Sequence, residues 1–558
     1  MNAQEMLKLW AANPVFDEET RREVGKIAAD EREVLSRFGR ELSFGTGGLR
    51  GVLGAGTNRM NRYTVARATQ GIAAYLNSRA GKSVAIAYDS RNGSNAFALV
   101  AAGVLAANGI RAYCYNRLMP TPMLSFAVRA LHCDAGIVIT ASHNPAEYNG
   151  YKVYGADGCQ ITDQAAAEIT AFIDKVAYPQ LSWLGELKAR ALHLLEDVPE
   201  TVYQAFLDKT LSCRVEKSGT PFSIRMVYTP LHGTGLEPIR DVFKRMGFPG
   251  CVEVREQCVP DGNFPTCPKP NPELREALRL AIETAKRENA DLVTATDPDC
   301  DRIGVAVRDR AGDYQILTGN EVGLLLMAYI LRSRLEKGTM PLSPVVIKTI
   351  VTSDLAFAVA RQYGAEVWEV LTGFKYIGEA IGRMAAEGQE DRFVFGFEES
   401  CGYLAGTHVR DKDGVMACML VTDMAQHYAS LGQSLLEVLE ALYGTYGYMQ
   451  NVLLNYDILD ALPMQKMQAI MAGLRKNPPK TLGETAVTSS KDYLEGLSGL
   501  PVSDVLSFEN AQGDKAIVRP SGTEPKVKVY LFAKGQGRAE THAKLEKMTQ
   551  QANGWIGI

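Results

Sequence analysis

Three aspartates at alternate positions form the most specific chemical pattern in the sequence. Asp297, Asp299 and Asp301 directly follow an apolar run. In an extended loop alternate side chains face the same way, so three carboxylates can converge on one cation. Carboxylate oxygens are the ligands that hard cations such as Mg²⁺ prefer. The spacing therefore predicts a Mg²⁺ site at the end of a strand.

An EF-hand calcium loop also begins with alternating acidic residues and has to be distinguished from this pattern. Such a loop needs Gly at its sixth position and Glu at its twelfth. Counted from Asp297, those positions hold Arg302 and Arg308, and the chain continues as strand-like sequence. The EF-hand interpretation is excluded, and a solvated acidic turn is the remaining structural alternative.

A serine follows a second apolar run, in the segment Thr140-Ala-Ser142-His143-Asn-Pro145. Taken alone, Ser142 would be read as a turn or helix-cap residue. His143 does not by itself indicate a Ser–His pair, because neighbouring side chains in an extended segment point apart. The metal loop and a phosphate-type loop at comparable strand ends favour a nucleophilic role for Ser142 instead.

A basic, hydroxyl-rich turn near the C-terminus is typical of phosphate binding. Arg519 offers a guanidinium fork that matches a phosphate by two hydrogen bonds. Ser521 and Thr523 add hydroxyl donors and Gly522 adds a backbone N–H. Together they predict a concave anion site, and a Gly-Pro turn with a surface arginine is the structural alternative.

Two further groups of polar residues lie beside glycine turns. Glu398 and Ser400 are two residues apart and would accept from and donate to neighbouring sugar hydroxyls. Lys152 and Lys375 would stabilise a transferring phosphate or take part in proton transfer. Each group, taken alone, also fits a solvated surface turn.

Short apolar runs that end in polar loops must position these side chains. Between them lie Ala- and Leu-rich stretches with helical spacing, such as 96–109 and 272–289. Alternating buried strands and helices indicate α/β units with mostly parallel sheets, in which ligands bind beyond the carboxyl ends of the strands. The apolar runs are 84–91, 135–145, 224–235, 290–302, 345–354 and 393–403.

The units group into three related α/β domains with mixed, mostly parallel sheets, followed by a smaller C-terminal α+β domain. The last domain contains the strand-like segment 515–534, and the segment 475–500 within it is expected to be rich in loops. The predicted domains are 1–205 with the serine loop, 206–318 with the metal loop, 319–450 with the sugar loop and 451–558 with the phosphate loop.

The composition of the 558 residues excludes several classes of protein. The net charge of −4 provides no basic field for nucleic acid or for an anionic membrane surface. There is no secretory signal pattern and no apolar run of about 18 residues that would cross a membrane. Ten scattered cysteines without a C-x-x-C pair argue against a zinc site or a disulfide framework. They favour a cytoplasmic location.

Together these motifs closely resemble the α-D-phosphohexomutase superfamily. Their order along the chain is also that of the family: TASHNP, D-x-D-x-D-R, E-x-S and RPSGTEP. The segments FGTGGLRG (44–51) and TGFKYIG (372–378) and an N-terminal W-x-x-N-P resemble its phosphoglucomutase and phosphopentomutase subgroup. In one departure, Pro298 and Cys300 stand between the aspartates where the superfamily often has Gly, which bears on loop shape and not on the ligands.

The resemblance implies four domains around a central cleft and a role for each matching residue. Ser142 would be a phosphoserine whose phosphate joins Asp297, Asp299 and Asp301 at Mg²⁺, and Glu398 and Ser400 would bind sugar hydroxyls. The other implied catalytic residues are Arg50, His143, Lys152 and Lys375. The other implied substrate-binding residues are Arg302, Thr372, Gly373, Arg519, Ser521, Gly522 and Thr523.

The implied activity is interconversion of glucose 1-phosphate and glucose 6-phosphate, an intramolecular phosphotransfer. It would pass through the phosphoserine and glucose 1,6-bisphosphate, which is both intermediate and activator. The partners would be small-molecule sugar phosphates. Phosphomannomutase, phosphopentomutase and sugar-1,6-bisphosphate synthase activities remain open alternatives. An idle sugar-phosphate sensor is disfavoured by the intact Ser142 and aspartates, and no motif suggests a phosphatase.

Overall fold

Apolar segments that the sequence analysis assigned to strands lie at the centres of three separate sheets, and a fourth sheet follows them in the chain. The computed structural model describes residues 1–45, 47–215, 221–458, 462–521 and 525–557. Within these residues the first three units combine helices with mixed sheets, and the fourth is rich in β-strands. The predicted fold class is confirmed.

The first unit surrounds a six-stranded sheet of order β1-β5-β4-β2-β3-β6. Strands β2, β3, β4 and β6 are parallel, and β5 runs antiparallel to both β4 and β1. Its elements are α1 (Ala3–Ala12), α2 (Glu18–Ile27), α3 (Glu31–Phe38), β1 (Gly48–Val52), α4 (Arg62–Asn77), β2 (Ser83–Tyr88), α5 (Ser94–Ala107), β3 (Arg111–Cys114), α6 (Thr121–Ala130), β4 (Ala135–Ile139), β5 (Tyr148–Gly155), α7 (Asp163–Ile173), α8 (Glu186–Ala191), β6 (Leu195–Asp197) and α9 (Glu200–Ser212).

The register of β1 against β5 matters for the chemistry. Gly48 lies opposite Lys152 and Arg50 lies opposite Gly150, so two of the predicted catalytic cations come from neighbouring strands. Because β4 is buried at every position, the polar residues that follow it are delivered to the end of a rigid strand.

Helices α1 to α3 precede the first sheet and were not part of the predicted strand–helix pattern. They enclose an aromatic cluster in which the rings of Trp10 and Phe16 stack with centroids 4.3 Å apart. Tyr63 on α4 packs edge-on against Trp10. Aromatic pairs of this kind add to the free energy gained by burial, so the N-terminal helices are fixed to the first unit.

The second unit contains a five-stranded sheet of order β11-β10-β9-β7-β8. Strands β7, β8 and β9 are parallel, while β10 and β11 form antiparallel pairs. The short loop between β9 and β10 carries the three aspartates. The elements are β7 (Met226–Thr229), α10 (Leu236–Met246), β8 (Cys251–Glu253), α11 (Arg275–Glu288), β9 (Leu292–Thr296), β10 (Ile303–Arg308) and β11 (Tyr314–Leu317).

The third unit contains a four-stranded sheet of order β13-β12-β14-β15. Strand β12 is parallel to β13 and β14, and β15 turns back along β14. Its elements are α12 (Gly319–Glu336), β12 (Val345–Thr349), α13 (Leu355–Gln362), β13 (Glu366–Val370), α14 (Phe374–Ala386), β14 (Phe393–Glu398), β15 (Gly402–Leu404), α15 (Gly414–Ser430) and α16 (Leu435–Tyr446).

The C-terminal unit is an antiparallel six-stranded sheet of order β16-β21-β20-β19-β18-β17. Its elements are β16 (Tyr448–Asp457), α17 (Pro463–Lys476), β17 (Thr481–Leu482), β18 (Thr485–Asp492), β19 (Leu506–Asn510), β20 (Lys515–Pro520), β21 (Lys526–Gly535) and α18 (Arg538–Ile556). The expectation that 475–500 is loop-rich was wrong for β18. Its side chains alternate between half-buried and exposed, as on a strand with one solvated face.

The predicted domain boundaries remain predictions. One coincides with the start of a helix, and two fall inside an element. The boundary after residue 318 coincides with the start of α12. The boundary after residue 205 falls inside α9, and the one after 450 falls inside β16. Among the described helices, none combines the length and the apolar character needed to cross a membrane.

Candidate active site

The predicted serine lies at the carboxyl end of β4, where the chain turns sharply. Ser142 has φ of 50°, in the left-handed region, and its N–H donates to Thr140 Oγ1 at 2.8 Å. Its hydroxyl donates to Asp297 Oδ2 at 2.6 Å. The serine loop of the first unit and the aspartate loop of the second therefore meet at one point.

His143 contacts this serine, contrary to the expectation that neighbouring side chains point apart. His143 Nδ1 is 3.0 Å from Ser142 Oγ. The expectation assumed an extended backbone, and the left-handed conformation of Ser142 brings the two side chains to the same side. Burial lowers the pKa of His143 well below its ordinary value, and the nearby Arg302 and Arg50 lower it further.

The three aspartates converge as predicted. One carboxylate oxygen from each lies within 4.8 Å of those of the other two, and all three residues are buried. Asp297 Oδ1 accepts from the N–H of Asp301 at 3.1 Å. Cys300, which stands where the superfamily often has Gly, has φ of 51°. It therefore adopts the left-handed conformation that Gly would favour.

Two carboxylate oxygens in this cluster lack a hydrogen-bond donor among the described residues. Asp299 Oδ1 and Asp301 Oδ1 are buried and accept no hydrogen bond from the described part of the chain. Burial raises the pKa of Asp297 well above its ordinary value, and the other two carboxylates add to the increase. Burial would also raise the pKa of Asp299, but the ammonium of Lys152 lowers it. Buried acceptors without donors are costly, so the cluster is suited to a cation.

Lys152 is the nearest predicted cation to the aspartates. Its Nζ is 2.9 Å from Asp299 Oδ2 and 3.5 Å from Asp301 Oδ2. Burial lowers the pKa of Lys152, but the two carboxylates outweigh that effect and raise it. The lysine is therefore held in its charged form beside these two carboxylates.

The predicted sugar loop reaches the same centre through Arg302. This arginine donates to the carbonyl of Ser400 at 2.7 Å, and its Nη2 is 4.0 Å from Glu398 Oε1. Glu398 is the last residue of β14 and is buried. Metal loop and sugar loop are thus joined across the second and third units.

Four further predicted residues lie in the first and third units. Arg50 Nη1 is 3.3 Å from Asn144 Oδ1 in the serine loop. Lys375 Nζ is 2.7 Å from Asp163 Oδ1, which ties α14 to the start of α7. Thr372 Oγ1 is buried without a described partner, and Gly373 has φ of 117°.

The predicted phosphate loop lies at the turn between β20 and β21. Arg519 pairs with Lys528 in the ladder, and the N–H of Ser521 donates to the carbonyl of Lys526 at 2.8 Å. Gly522 and Thr523 lie outside the described residues. The described part of the loop is a strand end with a half-buried Arg519, and anion binding by its guanidinium stays a prediction.

Three family models match the chain one after another. They are Phosphoglucomutase/phosphomannomutase, alpha/beta/alpha domain I over residues 41–180, domain II over 202–312 and domain III over 318–446. This chain belongs to the phosphoglucomutase/phosphomannomutase family. The resemblance to the α-D-phosphohexomutase superfamily is thereby confirmed.

Two bacterial phosphoglucomutases align with most of this chain. A phosphoglucomutase of Staphylococcus haemolyticus (strain JCSC1435) is 37% identical over 507 residues, covering 88% of this chain and 90% of the relative. A phosphoglucomutase of Staphylococcus aureus (strain MSSA476) is 34% identical over 525 residues, covering 92% and 93%.

Two solved structures share the fold of this family member. The open form of pp63/parafusin, a phosphoglucomutase from Paramecium, matches with a TM-score of 0.68 at 18% identity, covering 92% of this chain and 94% of that one. A phosphoglucomutase/phosphomannomutase family protein from Burkholderia thailandensis matches with a TM-score of 0.67 at 19% identity, covering 92% and 97%.

Arg91 supports the serine loop of this family member and was missed by the sequence analysis. Its guanidinium donates to the carbonyls of Ser142 and Pro145 at 2.5 and 2.9 Å, and also to those of Asn144 and Tyr148. It is buried. Four carbonyls on one fork fix the loop that bends at the serine. The only signal in the sequence was a charged residue just beyond a strand end.

Three more missed residues surround the aspartates. Lys412 Nζ is 3.1 Å from Asp301 Oδ2 and 3.0 Å from Asp411 Oδ1. Thr121 Oγ1 donates to Asp299 Oδ2 at 2.9 Å. Lys412 and Asp411 belong to a run of charged residues, 410–413, which by itself is typical of a solvated turn. Here the run is buried against the metal loop.

Proposed function

We propose that this chain interconverts glucose 1-phosphate and glucose 6-phosphate through a phosphoserine at Ser142 and a glucose 1,6-bisphosphate intermediate. One observation carries the proposal: Ser142 Oγ lies 2.6 Å from Asp297 Oδ2 inside a buried aspartate cluster. The curated relatives named phosphoglucomutase agree with this reaction class. A hydroxyl held among carboxylates and lysines is suited to carry a phosphate. This favours a catalytic serine over a structural turn residue.

Mg²⁺ would be held by Asp297, Asp299 and Asp301, with a phosphate oxygen on Ser142 as a further ligand. The orphaned Oδ1 atoms of Asp299 and Asp301 support this fit, since hard cations take carboxylate oxygens. When bound, the ion would supply charge neutralisation at the transferring phosphate oxygens. The aspartates would fix its place, because they are buried at the end of a strand.

The residues around Ser142 would position the phosphoryl group and neutralise its charge. Lys152 and Lys412 both form ion pairs with Asp301, as does Arg302. Phosphoryl transfer depends mainly on positioning and on electrostatic stabilisation. The slow uncatalysed cleavage of phosphate monoesters makes such a dense set of cations necessary.

The sugar would be held at its hydroxyls and at its second phosphate. Glu398 and Ser400 would bind the hydroxyls, and Arg519 with Ser521, Gly522 and Thr523 would hold the phosphate that is not reacting. Thr372, Gly373 and Lys375 would line the same cleft. After the first transfer the bisphosphate must turn over and return its other phosphate to Ser142. The Arg519 loop must therefore accept either end of the sugar.

Phosphomannomutase activity is the second candidate, because the matching family models cover both enzymes. The test is a coupled assay with glucose 1-phosphate, mannose 1-phosphate and ribose 1-phosphate on one preparation, with glucose 1,6-bisphosphate as activator. We expect the highest kcat/KM with glucose 1-phosphate. A higher kcat/KM with mannose 1-phosphate would reverse the assignment, and no turnover with any of them would reject it.

Small-molecule sugar phosphates are the proposed partners, and the proposed location is the cytoplasm. The location rests on the cysteines, all ten of which are free thiols in the structure. Reducing compartments keep thiols in this form. Intact-mass analysis of active enzyme would detect the phosphate on Ser142, and its absence from fully active protein would contradict the phosphoserine.

A further inference from the structure

A second group of buried titratable side chains lies apart from the aspartate cluster. Cys213 caps the end of α9, and His408 Nδ1 is 3.9 Å from its Sγ. On the other side of the ring, His408 Nε2 is 3.0 Å from Asp413 Oδ2. The sulfur also lies 3.1 Å from the carbonyl of Ala405. Thiol, imidazole and carboxylate in this order form the arrangement in which a base activates a nucleophile.

A cavity of about 480 Å³ opens onto this cluster, so the thiol can be reached by a small molecule. Its polar lining is mostly cationic, with one carboxylate. The charged and reactive residues that line it are Arg129, Lys209, Cys213, Arg334, Glu390 and His408. This composition favours a molecule that carries carboxylates.

The backbone beside the cluster keeps the space between the thiol and the ring open. Gly406 has φ of 83°. A Cβ at this position would lie 2.8 Å from Cys213 Sγ and 3.4 Å from His408 Nδ1. A side chain there would crowd the sulfur. The glycine therefore permits the contact on which thiol activation depends.

We propose that Cys213 is a modification site that undergoes exchange with small disulfides bearing carboxylates. The Cys213 thiolate, paired with the His408 imidazolium, attacks one sulfur of the disulfide. A new S–S bond forms at Cys213 as the old S–S bond breaks. The departing thiolate takes the proton from His408, so that one disulfide and one thiol become a mixed disulfide and a new thiol.

The charge state of His408 agrees with this step. Burial alone would lower the pKa of His408, but Cys213 and Asp413 raise it to about 9. An imidazolium next to the sulfur stabilises the thiolate. Cys258 provides the contrast within the chain. Its Sγ is 3.9 Å from the Glu253 carboxylate, and burial with that charge raises the pKa of Cys258 to about 11.

An adduct at Cys213 would also affect the proposed active site, because the segment 405–413 connects the two. Asp413 caps α15 by accepting from the N–H of Val415 at 2.9 Å. The N–H of Gly414, between these two residues, donates to the carbonyl of Cys300 in the metal loop at 3.1 Å. A displaced His408 would disturb this segment and with it Lys412. We therefore expect the adduct to lower turnover, a readout that rests on the proposed function.

The test is to incubate the full-length protein with glutathione disulfide and to follow adducts by intact mass and peptide mapping. We expect modification of Cys213 at least about tenfold faster than of Cys258. The matched variants are Cys213→Ser and Cys258→Ser. His408→Gln should slow the reaction about tenfold. Lys209→Gln, on an exposed side chain, should slow it about threefold with glutathione disulfide and not with neutral 2-hydroxyethyl disulfide.

Several results would overturn the proposal. One is modification of Cys258 or other thiols while Cys213 stays reduced, and another is an unchanged rate in folded His408→Gln. If His408→Gln does not fold, equal effects of Lys209→Gln on the two disulfides would reject the anionic ligand. The mass measurement is independent of the proposed function. Unchanged turnover of the adduct would overturn only the link to Lys412.

Discussion

Two buried clusters of lysines and carboxylates in this chain have opposite states of pairing. In the aspartate cluster, Asp299 Oδ1 and Asp301 Oδ1 have no donor among the described residues. In the second cluster, between the third and C-terminal units, both carboxylate oxygens of Asp354 accept from lysines: Lys348 at 2.9 Å and Lys515 at 2.6 Å. The first cluster is incomplete and the second is saturated.

The saturated cluster is built for stability. Lys348 is fully buried, and its Nζ donates to Asp354, to Glu369 at 2.5 Å and to two backbone carbonyls. Every proton of the ammonium has an acceptor, so among the described residues Lys348 offers no unsatisfied donor to a ligand. In this comparison the cluster with unpaired buried acceptors is the one that we propose as the active site, although both clusters contain buried charge.

The largest effect is expected from Ser142→Ala in the incomplete cluster. The variant cannot carry phosphate, so kcat should fall at least ~1000-fold. The lost hydrogen bond to Asp297 should change the unfolding free energy by about 2 kcal/mol or less. Coupled-assay turnover and urea unfolding measure the two quantities. Near-normal turnover in the alanine variant would refute the covalent mechanism.

Lys348→Met should have the opposite effects: a large loss of stability and little change in turnover. Removing the buried ammonium leaves Asp354 and Glu369 facing each other without their shared donor. The expected loss is about 2–4 kcal/mol of unfolding free energy, with kcat of the folded protein within about threefold of normal. The exposed Lys476→Met serves as the control. A small loss of stability with a large loss of kcat would show that the two clusters are not functionally distinct.

Much of the fold and of the aspartate cluster could be predicted from the sequence, whereas the Lys348 cluster could not. The apolar runs before Ser142, Asp297 and Glu398 predicted three strands, and all three exist as β4, β9 and β14. Strand ends are predictable because burial on both faces of a parallel sheet requires continuous apolar sequence. The convergence of three alternate aspartates followed from spacing alone.

The missed features depend on contacts between distant segments or on backbone geometry. Thr121 and Asp299 are 178 residues apart, and no local pattern connects them. The contact of Ser142 with His143 needs the left-handed φ of the serine. Lys412 belongs to a charged run whose burial only the packing of the third unit against the second reveals. Pairing within the Lys348 cluster was invisible for the same reason.

The effect of Mg²⁺ on thermal stability should distinguish the two clusters, and we expect its size to be intermediate among these predictions. A ligand that binds only the folded state stabilises it by about 2.7 kcal/mol at a concentration 100 times Kd. We expect Mg²⁺ to raise the melting temperature of the wild-type protein by a few degrees.

Asp299→Asn should remove that shift, because it takes away one ligand of the incomplete cluster, whereas Lys348→Met should retain it. Differential scanning fluorimetry with and without a chelator makes the measurement. An equal Mg²⁺ shift in Asp299→Asn would place the cation elsewhere, and no shift in the wild type would reject the fit.

The smallest predicted effect is the response of the saturated cluster to acid. Burial would raise the pKa of Asp354, but Lys348 and Lys515 lower it to about 2. A carboxyl whose folded pKa lies below its unfolded pKa contributes stability above the unfolded value, and that stability is lost as the pH falls through the folded value. The loss should therefore occur between about pH 4 and pH 2 and amount to roughly 1–2 kcal/mol.

Asp354→Asn should be less stable at pH 6 and should show a shallower decline over that range, since its side chain does not titrate. The exposed Asp208→Asn is the matched control. Urea unfolding at intervals from pH 6 to pH 2 gives the slopes, and equal slopes in wild type and Asp354→Asn would mean that the lysines do not hold this carboxyl ionised. In that case hydrogen bonding rather than charge would account for the stability of the Lys348 cluster. The two clusters could then no longer be distinguished by how their carboxylate charges are neutralised.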